Sequence, residues 1–176
     1  MSAITGILVQ VITGDVDSAG TDGRVYLGLG GREFRLDSKD DDYERGSWRE
    51  YVLGRGPKEP ELPSPQVRVE WPEFNDPRAG FAIDTVDIDK SPVYLRFEPD
   101  GDSPNWNLKT VFALVYIGES TFFMSFTTPP TFDNLWLGDP MGKIVYLTDS
   151  WRPERGRELP DSIRSHMSDV TRLLGE

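Results

Sequence analysis

The chain of 176 residues contains no cysteine and only one histidine, His166. Disulfides, thiolate metal sites and histidine-rich metal centres are therefore excluded. No apolar run approaches the roughly 18 residues of a membrane-spanning helix, and the N-terminal residues lack the charged and apolar regions of a secretory signal. We therefore expect a cytoplasmic protein, with peripheral association with a membrane left open.

Positive charge is also scarce, because 19 basic residues face 30 acidic ones and the formal net charge is −11. A nucleic-acid-binding protein would present a basic face, so we expect no nucleic-acid partner. Like charges repel, so the protein should not bind anionic lipid unaided. The sequence also lacks the Gly-x-Ser-x-Gly and His-Glu-x-x-His motifs of common hydrolases, and we expect no catalytic residues.

Short runs of alternating apolar residues fill most of the sequence and are separated by Gly, Pro and Asp. This pattern predicts about nine strands and an antiparallel β-sandwich. The predicted strands cover residues 4–12, 24–29, 33–36, 48–53, 66–71, 93–97, 110–117, 121–126 and 143–147. Gly30 and Gly31 predict a tight hairpin turn between the second and third strands.

A single domain of residues 1–153 is predicted, followed by a helix within residues 154–176. Four apolar residues define the stripe of that helix at spacings of four, three and four, namely Ile163, Met167, Val170 and Leu174. We expect this stripe to pack on the sandwich. Residues 54–90 interrupt the strand pattern with four prolines near their start and are predicted to be an insertion.

Three loops between predicted strands contain ten of the thirty acidic residues. Calcium is bound by six to eight oxygen atoms from carboxylates, hydroxyls and carbonyl groups, and these loops supply all three. Acidic turns are also common without a metal, but three such loops at one end of a sandwich would repel one another unless a cation lay among them. A helix-loop-helix calcium motif is rejected because Tyr26 occupies its twelfth position.

Three segments resemble the PLAT (lipoxygenase-homology) domain family, a β-sandwich of two four-stranded antiparallel sheets. They are Ala-Gly-Thr-Asp-x-x-Val-Tyr-Leu at 19–27, Tyr-Glu-Arg-Gly-Ser-Trp at 43–48, and Asp100 with Pro-Asn-Trp-Asn-Leu-Lys-Thr-Val at 104–111. The resemblance covers residues 3–53 and 92–148 in the family order. It departs at Ser18, where calcium-binding members can have a carboxylate, and in the long stretch of residues 54–90.

The resemblance implies calcium ligands in each loop. They are Ser18, Gly20, Thr21 and Asp22 in the first loop, Asp37, Ser38, Asp40, Asp41 and Asp42 in the second, and Asp100 and Gly101 in the third. The two glycines would contribute backbone carbonyls. Tyr43, Trp48 and Trp106 are expected to pack in the core or against the loops, and the insertion supplies apolar candidates for docking on a membrane or partner, Trp71, Phe74 and Phe81.

The leading hypothesis is a non-catalytic, calcium-binding module that docks on membrane lipid or on a protein. The alternatives are a metal-independent scaffold for a protein partner and, with less support, a β-sandwich hydrolase with an unrecognised carboxylate pair. We expect a monomer whose ligands are calcium ions.

Overall fold

A computed structural model describes residues 2–54, 66–67, 69–118, 123–139 and 141–151. Its elements in chain order are β1 (Ile4–Thr13), β2 (Arg24–Leu29), β3 (Arg32–Arg35), β4 (Trp48–Gly54), β5 (Gln66–Val67), α1 (Thr85–Lys90), β6 (Tyr94–Glu98), β7 (Trp106–Ile117), β8 (Phe123–Thr127), β9 (Leu135–Leu137), β10 (Ile144–Tyr146) and β11 (Thr148–Trp151). The helix predicted within residues 154–176 lies outside the described residues. The one described helix is too short to cross a membrane.

The strands form two sheets, which confirms the predicted β-sandwich. One sheet has the order β11-β8-β7-β1-β4-β5, with β9 paired to the start of β7, and the other has the order β10-β6-β2-β3. All described strand pairs are antiparallel except β4 with the two-residue β5. The larger sheet thus has seven strands where the family pattern implied four.

Side chains from both sheets form one continuous core. On β1, Ile7, Val9 and Val11 point into this core, and Leu27 on β2 and Leu95 on β6 meet them from the other sheet. All five are almost fully buried, and burying each such side chain stabilises the fold by about 1.5–3 kcal/mol. The alternating pattern of the sequence therefore marks the inner faces correctly.

The predicted hairpin at Gly30 and Gly31 is confirmed. Both residues have positive φ angles, 59° and 77°, and Leu29 pairs with Arg32 across the turn. Two consecutive positive φ values characterise the turn whose twist matches that of the flanking strands, and glycine adopts them without steric cost.

The insertion is described in part. Residues 69–83 run along β3, where the backbone amide of Arg35 donates to Asn75 Oδ1 (2.8 Å). Arg32 donates to four backbone carbonyls of this segment, those of Phe74, Asp76, Ala79 and Phe81. One guanidinium therefore fixes the course of the segment, while the prolines at its start lie outside the described residues. Of the predicted strand of residues 66–71, the structure describes β5 at residues 66–67, and Trp71 lies in a turn with φ 48°.

Candidate cation site at the acidic loops

Three loops meet at one end of the sandwich, where β1, β3 and β6 end and β2, β4 and β7 begin. We call them loop 1 (residues 14–23), loop 2 (residues 36–47) and loop 3 (residues 99–105). The amide of Gly46 donates to the carbonyl of Gly14 (3.0 Å), and the amide of Thr21 donates to the carbonyl of Tyr43 (3.2 Å), which joins loops 1 and 2. The Thr21 hydroxyl donates to the carbonyl of Ser103 (2.6 Å), which joins loops 1 and 3.

Trp106 supports all three loops from below. Its side chain is fully buried, and its Nε1 donates to the Thr13 hydroxyl (3.1 Å) just before loop 1. Its ring centroid lies 5.2 Å from that of Tyr43 in loop 2. Trp106 also follows loop 3 directly. Its indole therefore connects the starts or ends of loops 1, 2 and 3. The expected burial of Tyr43 and Trp106 is confirmed.

Predicted ligands from different loops meet at Asp22 and Gly101. A Cβ placed on Gly101 would lie 3.2 Å from Asp22 Oδ2, and Gly101 has a φ of 67°. The carboxylate of Asp22 therefore packs on the backbone of loop 3, in a space that only glycine leaves open. Asp22 is exposed and has no ion pair among the described residues, so its carboxylate is available to a cation.

Arginines neutralise several of the other acidic groups. Arg24 Nη2 lies 2.6 Å from Asp100 Oδ2, where both side chains are partly exposed. Arg45 binds Asp15 (2.7 Å) and Asp17 (2.5 Å) across loops 1 and 2. A further ion pair joins Arg35 to Asp37. The repulsion expected between the loops is therefore relieved in large part without a metal ion.

Loop 2 uses two of its predicted ligands to hold its own shape. Asp42 is buried and accepts hydrogen bonds from the Ser38 amide (2.6 Å) and the Ser38 hydroxyl (2.7 Å). Burial raises the pKa of Asp42 above its ordinary value, and the hydrogen bonds from Ser38 oppose that rise. Asp40, Asp41 and Glu44 are exposed, so these carboxylates of loop 2 remain open to solvent.

The predicted ligands thus fit a calcium ion in their chemistry but are not gathered into one cage. Among the residues that the structure describes, no three or more acidic or histidine side chains lie together as a metal site. The better fit is at loops 1 and 3, where Asp22 lies against Gly101 and Asp100 directly precedes that glycine. Gly20 packs against the Tyr43 carbonyl of loop 2. The hydroxyl of Thr21 is already committed to loop 3, and Ser18, at φ 60°, is exposed on loop 1.

The three predicted docking residues do not form one patch at the acidic end, although the Phe74 amide donates to the Trp71 carbonyl (3.0 Å). Trp71 is half-exposed beside loop 2, where Ser38, Lys39, Asp40 and residues 69–72 line a cleft of about 430 Å³. The carbonyls of Phe74 and Phe81 are bound by Arg32 at the hairpin end of β3, toward the opposite end of the sandwich. Phe74 and Phe81 are 71% and 88% exposed. Only Trp71 is therefore close to the acidic loops.

Two exposed apolar residues at the acidic end were missed by sequence reasoning. Val16 on loop 1 and Trp48 at the start of β4 are 41% and 46% exposed. Trp48 does not pack in the core, because it pairs with Ile12 on the side of the sheet that faces away from the core. Tyr51 and Leu53 on β4 point inward, and side chains alternate along a strand. This alternation could have predicted from the sequence that Trp48 points outward.

The arginine at Asp100 provides a direct test of the site at loops 1 and 3. If calcium binds at loops 1 and 3, Arg24→Gln should tighten that binding several-fold, because it frees Asp100 and removes a competing positive charge. The free energy of unfolding without metal should fall by no more than about 1 kcal/mol, as is typical of exposed ion pairs. Isothermal titration with calcium measures the change. Arg78→Gln, whose ion pair with Asp76 lies in the insertion, is the matched control and should leave the affinity unchanged; equal effects of both variants would contradict the site.

The fold and the loops define a β-sandwich with an acidic loop end. No protein-family model matches the chain, and no curated protein sequence matches it. Solved structures that resemble it include alpha toxin from Clostridium absonum, with a TM-score of 0.48 and 20% identity over 84% of this chain and 32% of the toxin. Another is a lipoxygenase in complex with arachidonate, with a TM-score of 0.45 and 20% identity over 93% of this chain and 19% of the enzyme.

A third is coral 8R-lipoxygenase, whose structure is described as showing calcium activation via a C2-like domain. It has a TM-score of 0.46 and 20% identity over 94% of this chain and 20% of the enzyme. The chain thus spans about a third of the toxin and about a fifth of the lipoxygenases. At this level of similarity the activities of these proteins do not transfer to it.

Proposed function

We propose that this chain is a non-catalytic module of the PLAT type that binds calcium at its acidic end and, in that state, docks on a membrane. The observation that carries the proposal is the contact of Asp22 with Gly101, which brings two carboxylate-bearing loops together. The matching motifs at residues 19–27 and 104–111 support the family assignment. In this proposal Asp22 and Asp100 hold the ion, with the carbonyls of Gly20 and Gly101.

Charge explains why calcium would control docking. The chain has a net charge of −11, so its acidic end is repelled by anionic lipid in the absence of metal. Each bound calcium ion adds two positive charges at that end. Electrostatic attraction alone is modest, however, and firm docking needs apolar side chains that enter the interfacial region of the bilayer.

Val16, Trp48 and Trp71 are the apolar side chains suited to that role. Each is between 41% and 46% exposed, and each lies at the end of the sandwich that contains the acidic loops. Tryptophan in particular favours the interface between water and lipid, because its ring has an apolar body and a polar N–H group. Phe81, although more exposed, lies toward the other end and would face away from the same membrane.

Co-sedimentation with phosphatidylserine-containing vesicles tests the proposal. The protein should pellet with vesicles in calcium and remain in the supernatant with chelator. Trp48→Ala should reduce the pelleted fraction severalfold without altering calcium affinity, because this residue is proposed to enter lipid and not to bind metal. Phe81→Ala is the matched control and should pellet like the unmodified protein. Binding that is equal in calcium and in chelator, or absent in both, would refute the calcium-dependent mechanism.

The second candidate function is docking on a protein without metal. The ion pairs of Arg24, Arg35 and Arg45 with loop carboxylates favour it, because they stabilise the acidic end without a cation. A calcium titration separates the two functions. If calcium neither binds nor raises the melting temperature, the protein-docking function is the better account of the acidic end.

A further inference from the structure

The outer face of the seven-stranded sheet has an apolar cluster of its own. Side chains alternate along each strand, so the residues between the inward-pointing Ile7, Val9 and Val11 of β1 point away from the core. The outer-face cluster consists of Leu8 on β1, Val52 on β4, and Phe112, Leu114 and Tyr116 on β7. Leu8 pairs with Val52 on one side and with Leu114 on the other. The cluster is therefore a continuous band across three strands.

The centre of this outer face is closed to solvent, and its margins at Val52, Phe112 and Tyr116 are partly buried. Leu8 and Leu114 are each 2% exposed, and Ser125, beside Leu114 on β8, is 0% exposed. The outer face of an antiparallel sandwich is ordinarily in contact with water, and the cluster contains side chains of β1, β4 and β7 alone among the described residues. Burial raises the pKa of Tyr116 to about 12, with the charge of Glu50 adding to the rise.

The described part of the chain ends at β11, next to this outer face. Trp151 at the end of β11 pairs with Ser125, and Ser125 pairs with Leu114. Strand β11, the last described element, therefore lies two strand spacings from β7, which is about 10 Å. Residues 152–160 can span up to about 30 Å when extended, which is ample to bring the following residues over the cluster.

Residues 161–174 match the cluster in length and in pattern. A helix of this length is about 21 Å long, which is enough to cross three strands about 10 Å apart from first to last. Its stripe of Ile163, Met167, Val170 and Leu174 lies on one side. Residues 152–176 contain as many arginines as acidic residues, so this segment is not repelled by the acidic body of the protein.

We propose that residues 161–174 dock on the outer-face cluster of their own chain. The apolar stripe of these residues would then contact Leu8 and Leu114. The occupant of this face is then a segment of the chain itself. The face would not be free for a protein partner, so metal-independent docking would have to use another surface. This inference does not depend on calcium binding at the acidic loops.

The absence of cysteine permits a clean test in the full-length chain. Val52→Cys is combined in turn with Ile163→Cys, Met167→Cys, Val170→Cys and Leu174→Cys, and each pair is oxidised mildly. A disulfide requires Cα atoms about 4.4–6.8 Å apart, so at least one of the four pairs should form an intramolecular disulfide in high yield. Electrophoresis without reductant and mass spectrometry of the linked peptides identify it.

Two controls make the result specific. Ser165→Cys, on the opposite side of the predicted helix, should not link to Val52→Cys. Tyr146→Cys, exposed on the other sheet, should not link to any of the four stripe positions. Failure of all four Val52 pairs, equal yields with Tyr146→Cys, or a disulfide-linked dimer as the main product would each overturn the proposal.

Hydrogen exchange of the unmodified chain provides a measurement that needs no substitution. A docked helix should protect the backbone amides of residues 165–174 at least a hundredfold relative to an unstructured peptide of the same sequence, because opening would expose the apolar stripe. Exchange at the unstructured rate would contradict the docked helix, whatever the outcome of the cross-linking.

Discussion

Replacing Trp106 with alanine should lower the free energy of unfolding by about 3–5 kcal/mol, the usual cost of removing a fully buried large aromatic side chain. The indole is 0% exposed and packs against Tyr43 and Phe97, with ring centroids 5.2 and 5.6 Å away. The substitution also leaves the Thr13 hydroxyl without the donor that reaches it at 3.1 Å. Chemical denaturation monitored by circular dichroism measures the loss.

The same substitution should weaken calcium binding, because Trp106 fixes the base of loops 1, 2 and 3 together. Trp106→Phe keeps most of the apolar contact and loses the N–H group, so we expect an intermediate loss of stability. Trp48→Ala, at a half-exposed position, is the matched control and should change stability by about 0.5 kcal/mol or less. A loss for Trp106→Ala no larger than that of Trp48→Ala would show that the indole does not support the loop end.

The strands were predictable from sequence because most residues on their inner faces are apolar. The predicted ranges and the observed elements agree within two or three residues for β1, β2, β4, β6 and β8. The turn at Gly30 and Gly31 was predictable for a different reason, since only glycine adopts two successive positive φ angles without strain. The fold class was therefore predictable from the hydrophobic alternation of the strands and from the glycines of the turn.

Short elements escaped prediction because tertiary contacts create them. Helix α1 has only six residues, too few for a helical period, and its signal was the capping box of Asp84 and Asp87. Strand β9 has three residues and is defined by its pairing with the start of β7, where Leu137 pairs with Trp106. The seven-stranded sheet likewise depends on β5, β9 and β11, none of which alternates over enough residues to be recognised.

The candidate site was predictable only in composition. The sequence identified which loops contain carboxylates, but not that Arg24, Arg35 and Arg45 would pair with them, because those pairs join residues that are close only after folding. It also could not show that both carboxylate oxygens of Asp42 would be used by Ser38. Which acids remain open to a cation is therefore a property of the fold.

Calcium at a hundredfold excess over its dissociation constant should raise the free energy of unfolding by about 2.7 kcal/mol, if it binds the folded state alone. Asp22→Asn should remove most of that increase, because Asp22 is the exposed carboxylate that contacts loop 3 at Gly101. Magnesium should stabilise the protein less than calcium does, since it requires a small, near-ideal octahedral arrangement that flexible loops do not supply. Thermal unfolding in calcium, magnesium and chelator measures all three effects.

Two further variants distinguish metal binding from general changes in charge and stability. Asp89→Asn, in α1 at the opposite end of the sandwich, removes the same charge as Asp22→Asn and should leave the calcium increment intact. Asp42→Asn should lower the stability of the metal-free protein by about 1–3 kcal/mol, because one of the two donors on Ser38 loses its acceptor. If Asp22→Asn retains the full calcium increment while Asp42→Asn abolishes it, loop 2 holds the ion and the assignment to loops 1 and 3 is wrong.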